Sequence, residues 1–197
     1  AGTGTYYIGD DNEDLIFTAY SNSKIVKRGE GTMKLLNLGR IKAALEIKAG
    51  TLTFNQSSLA DLVIGTNQLT VNGSGKVMGQ GLLSSVSVAS GGTLAPRSLY
   101  SETNPGTIKV NGLASVAAGA TADFLISNSK NSQMQTKYIT LNGTVKVSLT
   151  DDFEPKAGTS YTLWTASASF SGTPKVSLPE LPAGFAGDDS ELLTKEG

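Results

Sequence analysis

Leu69-Thr-Val-Asn-Gly-Ser-Gly-Lys-Val77 is the first of three closely related stretches in this chain. The second runs Ile108-Lys-Val-Asn-Gly-Leu-Ala-Ser-Val116, and the third runs Ile139-Thr-Leu-Asn-Gly-Thr-Val-Lys-Val147. Each alternates apolar and polar residues, passes through Asn-Gly and returns to apolar residues, which predicts a strand, a tight turn and a second strand. A chain that repeats such a unit buries each copy against the next, so the pattern favours a solenoid over a closed globule.

A second recurring pattern is Gly-Thr followed by an aliphatic residue. We expect the glycine to allow a turn with positive φ, the threonine to begin a strand, and the aliphatic residue to point into the core. Gly31 and Gly50 are 19 residues apart, which predicts coils of about 20 residues. The third Asn-Gly does not fit this spacing, so we expect insertions, one of them over residues 127–135. The five copies are Gly31-Thr32-Met33, Gly50-Thr51-Leu52, Gly92-Thr93-Leu94, Gly106-Thr107-Ile108 and Gly143-Thr144-Val145.

The predicted fold is all-β, a right-handed parallel β-helix of short coils. Because Asn-Gly also favours two-residue hairpins, a β-sandwich or β-meander is the alternative. We expect residues 1–197 to form a single domain within a longer protein, with a C-terminal cap over residues 150–197. The residues predicted to face the interior are Leu35, Leu45, Ile47, Leu52, Phe54, Leu69, Val71, Val86, Val88, Leu94, Ile108, Val110, Phe124, Ile139, Leu141, Val145, Val147 and Leu163.

The composition limits the chemistry that the chain can perform. Its 197 residues include no cysteine and no histidine, which excludes disulfides, thiolate metal sites and catalytic triads that need imidazole. A formal net charge of −1 provides no global attraction to nucleic acid or to anionic membranes. We expect no nucleic-acid partner, no direct membrane insertion and no cofactor. The ligand, the oligomeric state and the export route stay open.

Residues 25–54 carry a pattern that resembles a known family. They read Ile25-Val-Lys-Arg-Gly-Glu-Gly-Thr-Met-Lys-Leu35 and then Leu45-Glu-Ile-Lys-Ala-Gly-Thr-Leu-Thr-Phe54. This resembles the autotransporter-associated β-strand repeat, which runs aliphatic-x-Lys-x-Gly-x-Gly-Thr-aliphatic-x-Leu and, after a variable stretch, aliphatic-x-x-Gly-Thr-Leu. Ser90-Gly-Gly-Thr-Leu-Ala-Pro96 is similar to a later turn of the family, with Arg97 where the family has glycine.

The resemblance covers residues 20–185 and implies a right-handed parallel β-helix in a bacterial cell-surface or secreted protein. In that family the repeat is a scaffold with no catalytic residues of its own, so none are implied for this chain. We therefore expect an extracellular, non-catalytic segment with a structural and adhesive function, whose partner is a surface glycan or a protein of a host or neighbouring cell. The alternatives are a glycan-binding module and a polysaccharide-degrading, lyase-like β-helix.

A run of cations is the first candidate site. Residues 24–48 contain seven lysines and arginines against two glutamates, Glu30 and Glu46, which leaves a surplus of five positive charges. This surplus predicts a contact patch for acidic glycans, phosphates or an acidic partner. The alternative is an edge coil that uses lysines to block the addition of another strand. The seven cations are Lys24, Lys27, Arg28, Lys34, Arg40, Lys42 and Lys48.

Three further groups are candidate sites. Asp10-Asp-Asn-Glu-Asp14 has oxygen ligands at alternating positions, as a Ca²⁺ site would, and a solvated turn is the alternative. A lyase or glycosidase would need carboxylates that converge across a cleft, but the spacing of the mid-chain carboxylates also fits a turn. These carboxylates are Asp123, Asp151, Asp152 and Glu154. The aromatic residues of the last quarter fit either a sugar-binding platform or an end cap: Phe153, Tyr161, Trp164, Phe170 and Phe185.

Overall fold

The structure, a computed structural model, describes residues 4–8, 15–17, 24–35, 38–41, 44–55, 69–98 and 101–190. These residues contain eighteen β-strands and no helix, and therefore no helix able to span a membrane. The strands are β1 Thr5–Ile8, β2 Leu15–Phe17, β3 Lys24–Lys27, β4 Thr32–Leu35, β5 Leu38–Ile41, β6 Ala44–Ile47, β7 Thr51–Asn55, β8 Leu69–Val71, β9 Lys76–Leu83, β10 Val86–Val88, β11 Thr93–Ser98, β12 Ser101–Pro105, β13 Thr107–Val116, β14 Thr121–Ile126, β15 Gln133–Leu141, β16 Thr144–Leu149, β17 Trp164–Ser171 and β18 Lys175–Ser177.

Parallel strands stacked side by side form a first ladder. Its members are β1, β4, β7, the first half of β9, β11, β14, β16 and β18. Their first residues are in register, in the order Thr5, Thr32, Thr51, Lys76, Thr93, Thr121, Thr144 and Lys175. Four of the predicted Gly-Thr starts belong to this ladder, and Thr107 begins β13. The prediction that threonine begins a strand is confirmed at all five positions.

Two further parallel ladders lie beside the first. The second contains the last residues of β9 and the first halves of β13, β15 and β17. The third contains β3, β6, β8 and β10, followed by the second halves of β13, β15 and β17. From β9 onward the chain visits the first, second and third ladders in that order, and then returns to the first ladder one strand further on. Strands β13 and β15 pass from the second ladder to the third where their register shifts.

The coarse fold prediction, an all-β chain with mostly parallel strands, is confirmed. The described strands form a 16-stranded sheet and a separate two-stranded sheet of β2 and β5. In this part of the chain, β11 and β12 are the one pair of strands that run antiparallel. A β-sandwich or β-meander joins its neighbouring strands antiparallel throughout. The observed pairing therefore disfavours that alternative.

Apolar side chains at alternating strand positions form one hydrophobic core. Every residue that was predicted to face the interior is buried. In the third ladder, Leu45, Leu69, Val86, Ala114 and Ile139 occupy equivalent positions in consecutive strands and form a column. Because strand side chains alternate between the two faces, the period-two pattern was enough to identify the buried face.

The three Asn-Gly stretches do not all form turns. The first and third do, since β8 and β9 are joined at Asn72-Gly73, and β15 and β16 at Asn142-Gly143. The prediction was wrong for the second copy, because Asn111-Gly112 lies inside β13. There the register skips two residues as the strand changes ladders. A Cβ on Gly112 would lie 2.7 Å from the carbonyl oxygen of Ser84, so this glycine allows close approach at a corner.

The glycines of the Gly-Thr pattern are required mainly by close packing. Of the five, Gly50 alone has a positive φ, 66°, so the expectation of positive φ is wrong for the other four. The turns that precede the first ladder stack on one another, as when the Thr144 amide donates to the carbonyl of Ala120 at 2.8 Å. A Cβ on Gly143 would lie 2.5 Å from that carbonyl oxygen, and one on Gly92 would lie 2.9 Å from that of Val71. Glycine leaves the space in which the next turn fits.

We predict that Gly143→Ala lowers the free energy of unfolding by about 1–3 kcal/mol, the usual range for overpacking. The added methyl group would meet the backbone of the preceding turn, which cannot move aside as a flexible side chain would. Urea unfolding followed by circular dichroism measures the change.

The matched control is Gly4→Ala, because a Cβ at Gly4 has no atom within 4 Å. This variant should stay within about 0.5 kcal/mol of the parent chain. Equal effects of the two substitutions would show that the stacked turns do not require glycine.

Candidate functional site

Two of the predicted basic residues are paired with one carboxylate. Lys24 Nζ lies 2.6 Å from Glu46 Oε2, and Lys48 Nζ lies 3.6 Å from Glu46 Oε1. Asn72 Nδ2 also donates to Glu46 Oε1 at 2.9 Å. The pKa of Glu46 lies below its usual range, chiefly through the hydrogen bond from Lys24 and despite partial burial. Part of the positive charge of this region is therefore neutralised on the outer face of the third ladder.

Lys27 is buried inside the structure. It is the last residue of β3 in the third ladder, where its register partner is the core residue Ile47. Its ammonium donates to the carbonyl oxygens of Gly29 and Ala49, each at 2.8 Å. Burial lowers the pKa of Lys27, and the nearby charge of Glu30 partly opposes this shift. This ammonium links two successive turns.

The other predicted cations are distributed over different parts of the chain. Arg28 is exposed in the turn after β3, and Lys34 is half-buried on β4 in the first ladder. Arg40 lies on β5. Lys42 and the predicted Ca²⁺ ligands Asp10 to Asp14 lie outside the described residues. The structure therefore brings Lys24 and Lys48 together and places Lys27 and Lys34 elsewhere, and the contact patch stays a prediction.

The mid-chain carboxylates lie in two different environments. Asp123, on β14, accepts a hydrogen bond from the guanidinium of Arg97. Asp151 and Asp152 are exposed in the turn after β16. Asn128 fixes that turn, because its Nδ2 donates to the carbonyl of Asp152 at 2.6 Å and its Oδ1 accepts the Glu154 amide at 2.8 Å. Within the described ranges, no three carboxylates converge in a way that could hold a metal ion.

Arg97 is the centre of a buried polar network. In the sequence, the residue was notable only because it stands where the similar family has glycine. The residue is 4% exposed, and its Nη2 lies 3.0 Å from Asp123 Oδ1. Its Nη1 donates to the Asp123 carbonyl at 2.9 Å and to Ser132 Oγ at 2.8 Å. Burial lowers the pKa of Arg97, and the Asp123 carboxylate opposes the shift. The network ties β11 to β14 and to the segment that leads into β15.

Two insertions meet at this network. The first is β12, which turns back antiparallel to β11, with Pro105 opposite Arg97. The second is the loop of residues 127–132, which connects β14 to β15 within the insertion predicted over residues 127–135. The Ser127 amide donates to the Lys130 carbonyl at 2.8 Å, and Asn131 Nδ2 donates to the carbonyl of Thr162 at 2.7 Å. The first insertion is therefore paired with β11, and the second is held by a bond within the loop and by one to the segment before β17.

Between these two insertions lies a surface groove made of two depressions, which we call the insertion groove. The first has a volume of about 560 Å³ and the second a volume of about 520 Å³. They share Pro105, Ser129 and Lys130, so they adjoin one another. The first is also lined by Gln80, Gly81, Gly106, Thr107, Lys109, Asn131 and Gln133. The second is also lined by Ser101, Thr103, Asn104, Ser127, Thr150, Asp151 and Asp152.

The aromatic residues of the last quarter lie away from the groove lining. Trp164 is half-buried, with its ring centroid 5.8 Å from that of Phe124, and its Nε1 donates to Thr136 Oγ1 at 3.2 Å. Phe153 and Tyr161 meet edge-on at 6.2 Å and pack against the core. Phe170 and Phe185 are 39% and 40% exposed. The first three side chains close the core near the last strands, and the predicted cap over residues 150–197 stays a prediction.

No protein-family model matches the chain, and no sequence among the curated proteins matches it.

We predict that Arg97→Met lowers the free energy of unfolding by about 3 kcal/mol, because it leaves the Asp123 carboxylate partly buried without its partner. Amide hydrogen exchange of β12 should also accelerate, since Arg97 lies where that strand is paired. Urea unfolding and exchange measured by mass spectrometry provide the two readouts.

Lys76→Met is the matched control for an exposed contact to the same insertion, because Lys76 forms an ion pair with Glu102 of β12, whose side chain is 69% exposed. Exposed pairs contribute about 0–1 kcal/mol. If both substitutions changed stability equally, the Arg97 network would not be the anchor of the insertion.

Proposed function

We propose that this chain is a right-handed parallel β-helix that serves as a non-catalytic, structural and adhesive segment of a bacterial cell-surface or secreted protein. The observation that carries the proposal is the register of the first ladder, in which strands from β1 to β18 begin at equivalent positions. Eight strands stacked at about 4.8 Å would extend over roughly 35 Å. Such a stack suits a stiff spacer.

The handedness in this proposal follows from general chain geometry. Parallel strands joined by crossovers in one sheet are right-handed in about 98% of cases. The ladders are visited in one order from β9 onward, so each return to the first ladder is such a crossover. In the third ladder, successive strands have a polar residue at the outward position, and the residues before and after it are buried. A helical path of this kind explains this alternation. The outward residues are Glu46, Thr70, Ser87 and Ser115.

The proposed location rests on the resemblance of residues 25–54 to autotransporter repeats. The positions that carry it have structural roles in this chain. Lys27 links two turns, Gly29 has a φ of 78°, and Thr32 and Thr51 begin register-paired strands. Residues that hold turns together suit a scaffold, and the lack of cysteine is compatible with export. The enzyme alternative is less well supported, since the Asp123 carboxylate forms an ion pair with Arg97.

We predict that a disulfide forms readily in the double variant Ser87→Cys/Ser115→Cys. The two serines are register partners on neighbouring strands β10 and β13, so their Cα atoms fall within the roughly 4.4–6.8 Å that a disulfide spans. The parent chain has no cysteine, so mass spectrometry after mild oxidation reports this one bond.

The matched control is Thr70→Cys/Ser115→Cys, in which β10 lies between the two strands. Two strand spacings, about 9.6 Å, exceed the reach of a disulfide. Efficient bridging of the control, or none in the first variant, would contradict the stacked register on which the β-helix proposal depends.

For the cellular role, we predict that an antibody raised against the purified chain labels intact producing cells or their culture medium, and reduces the attachment of the cells to surfaces. Flow cytometry before and after permeabilisation measures the first effect, and an attachment assay measures the second. Labelling that appears only after permeabilisation, with none in the medium, would contradict the proposed location.

A further inference from the structure

We propose that the insertion groove is a binding site for an anionic oligosaccharide, with the ammonium groups of Lys109 and Lys130 contacting its carboxylate or sulfate groups. This site is separate from the predicted basic patch of residues 24–48. Its walls are the insertion β12 and the loop 127–132, which the repeat pattern does not account for, and its floor is formed by residues of β9, β13 and β15.

The floor of the groove presents polar side chains at regular spacing. Thr107 of β13 and Gln133 of β15 are register partners, and Lys109 lies two residues after Thr107 on the same strand. Neighbouring strands in such a ladder are about 4.8 Å apart, and side chains two residues apart point to the same face. Thr107 and Gln133 thus offer hydroxyl and amide groups to the several hydroxyls of an extended sugar chain.

The walls of the groove are held in place before any ligand arrives. One wall ends at Pro105, which is buried opposite Arg97. The other wall, around Lys130, is anchored through Ser132, which is fully buried and accepts a hydrogen bond from Arg97 at 2.8 Å. Arg97 therefore lies at the base of both walls, since its backbone is paired with β12 and its guanidinium donates to Ser132. A site that is already ordered loses less conformational entropy on binding than a flexible one.

The charge distribution favours an anion at one end of the groove. Lys109 and Lys130 line the first depression, whose lining includes no carboxylate. Among the described residues, neither lysine takes part in an ion pair. Lys130 also lines the second depression, together with Asp151 and Asp152, whose carboxylates accept hydrogen bonds from sugar hydroxyls and repel acidic groups. A sugar chain with its acidic unit in the first depression, between Lys109 and Lys130, and its neutral units in the second suits both linings.

Other polymers fit this lining less well. Single-stranded nucleic acid is held largely by bases that stack on aromatic side chains, and no aromatic residue lines either depression. A protein partner would need a pocket for a buried apolar or aromatic anchor, whereas Pro105 is the one large apolar side chain among the described residues that line the two depressions. Two depressions of this size lie within the range of about 300–1,000 Å³ that is usual for small-ligand sites.

The test is isothermal titration calorimetry of the purified chain with three probes: tetragalacturonate, a heparin-derived tetrasaccharide and neutral maltotetraose. We expect saturable binding of at least one anionic probe, weakened when the ionic strength rises from about 0.01 to about 1 M. The carboxylated and sulfated probes distinguish the two sources of negative charge. Lys109→Gln and Lys130→Gln should each weaken binding about fivefold or more, because each removes one charge from the first depression.

Lys175→Gln is the matched control, because Lys175 is exposed on β18 and does not line the groove. It should leave affinity unchanged. The proposal is overturned if neither anionic probe binds, if maltotetraose binds equally well, or if the control variant weakens binding as much as the groove variants. If a groove variant fails to fold, NMR of the parent chain still tests the proposal. Adding an anionic probe must change the backbone amide chemical shifts of Lys109, Lys130 and Gln133, and unchanged shifts would overturn it.

This test is independent of the proposed scaffold role. Binding is measured on the isolated chain, so intracellular labelling in the antibody experiment would leave the groove proposal standing. A groove that binds no probe would equally leave the β-helix and its location standing.

Discussion

The close stacking of turns between the third and the first ladder is the constraint on which the rest of the structure depends. At this point each turn donates an amide to a carbonyl of the turn before it, as Thr93 does to Gly75 and Thr121 does to Gly92, both at 2.9 Å. The space between the turns excludes most side chains. Each strand of the first ladder therefore begins at a fixed height and in a fixed register, and the alternation that follows places its apolar residues in the core.

Because the turns fix the register, the rest of each coil can vary in length. The entropy of closing a loop grows only slowly with the number of residues, so insertions are tolerated where both ends are held. This explains why the third Asn-Gly departs from the spacing of the first two while β14 and β16 remain in register. It also explains why β12 and the loop 127–132 lie outside the ladders without disturbing the core beneath them.

The fold was predictable from the sequence to the extent that it depends on local patterns. Threonine starts and buried faces require only neighbouring residues, and both were predicted correctly. The Asn111-Gly112 corner was not predictable, because the same dipeptide serves as a turn or as a bend depending on which strand lies beside it. The Arg97 network was missed for a related reason. Its partners, Asp123 and Ser132, are 26 and 35 residues away, and no periodic pattern relates them to Arg97.

Candidate sites were harder to predict, because charged residues that are close together in a repeat sequence lie on different faces of the folded strands. Lys24 and Lys27 are three residues apart, yet one lies in a surface ion pair and the other contacts buried carbonyls. A count of charges over residues 24–48 therefore does not give the charge that any one surface exposes. The insertion groove draws its two lysines from strand β13 and a loop near residue 130, which a window along the sequence does not combine. Stacking fixes the repeated strands, whereas the insertions between them can vary, and an insertion can add the walls of a binding site above a floor of repeated strands.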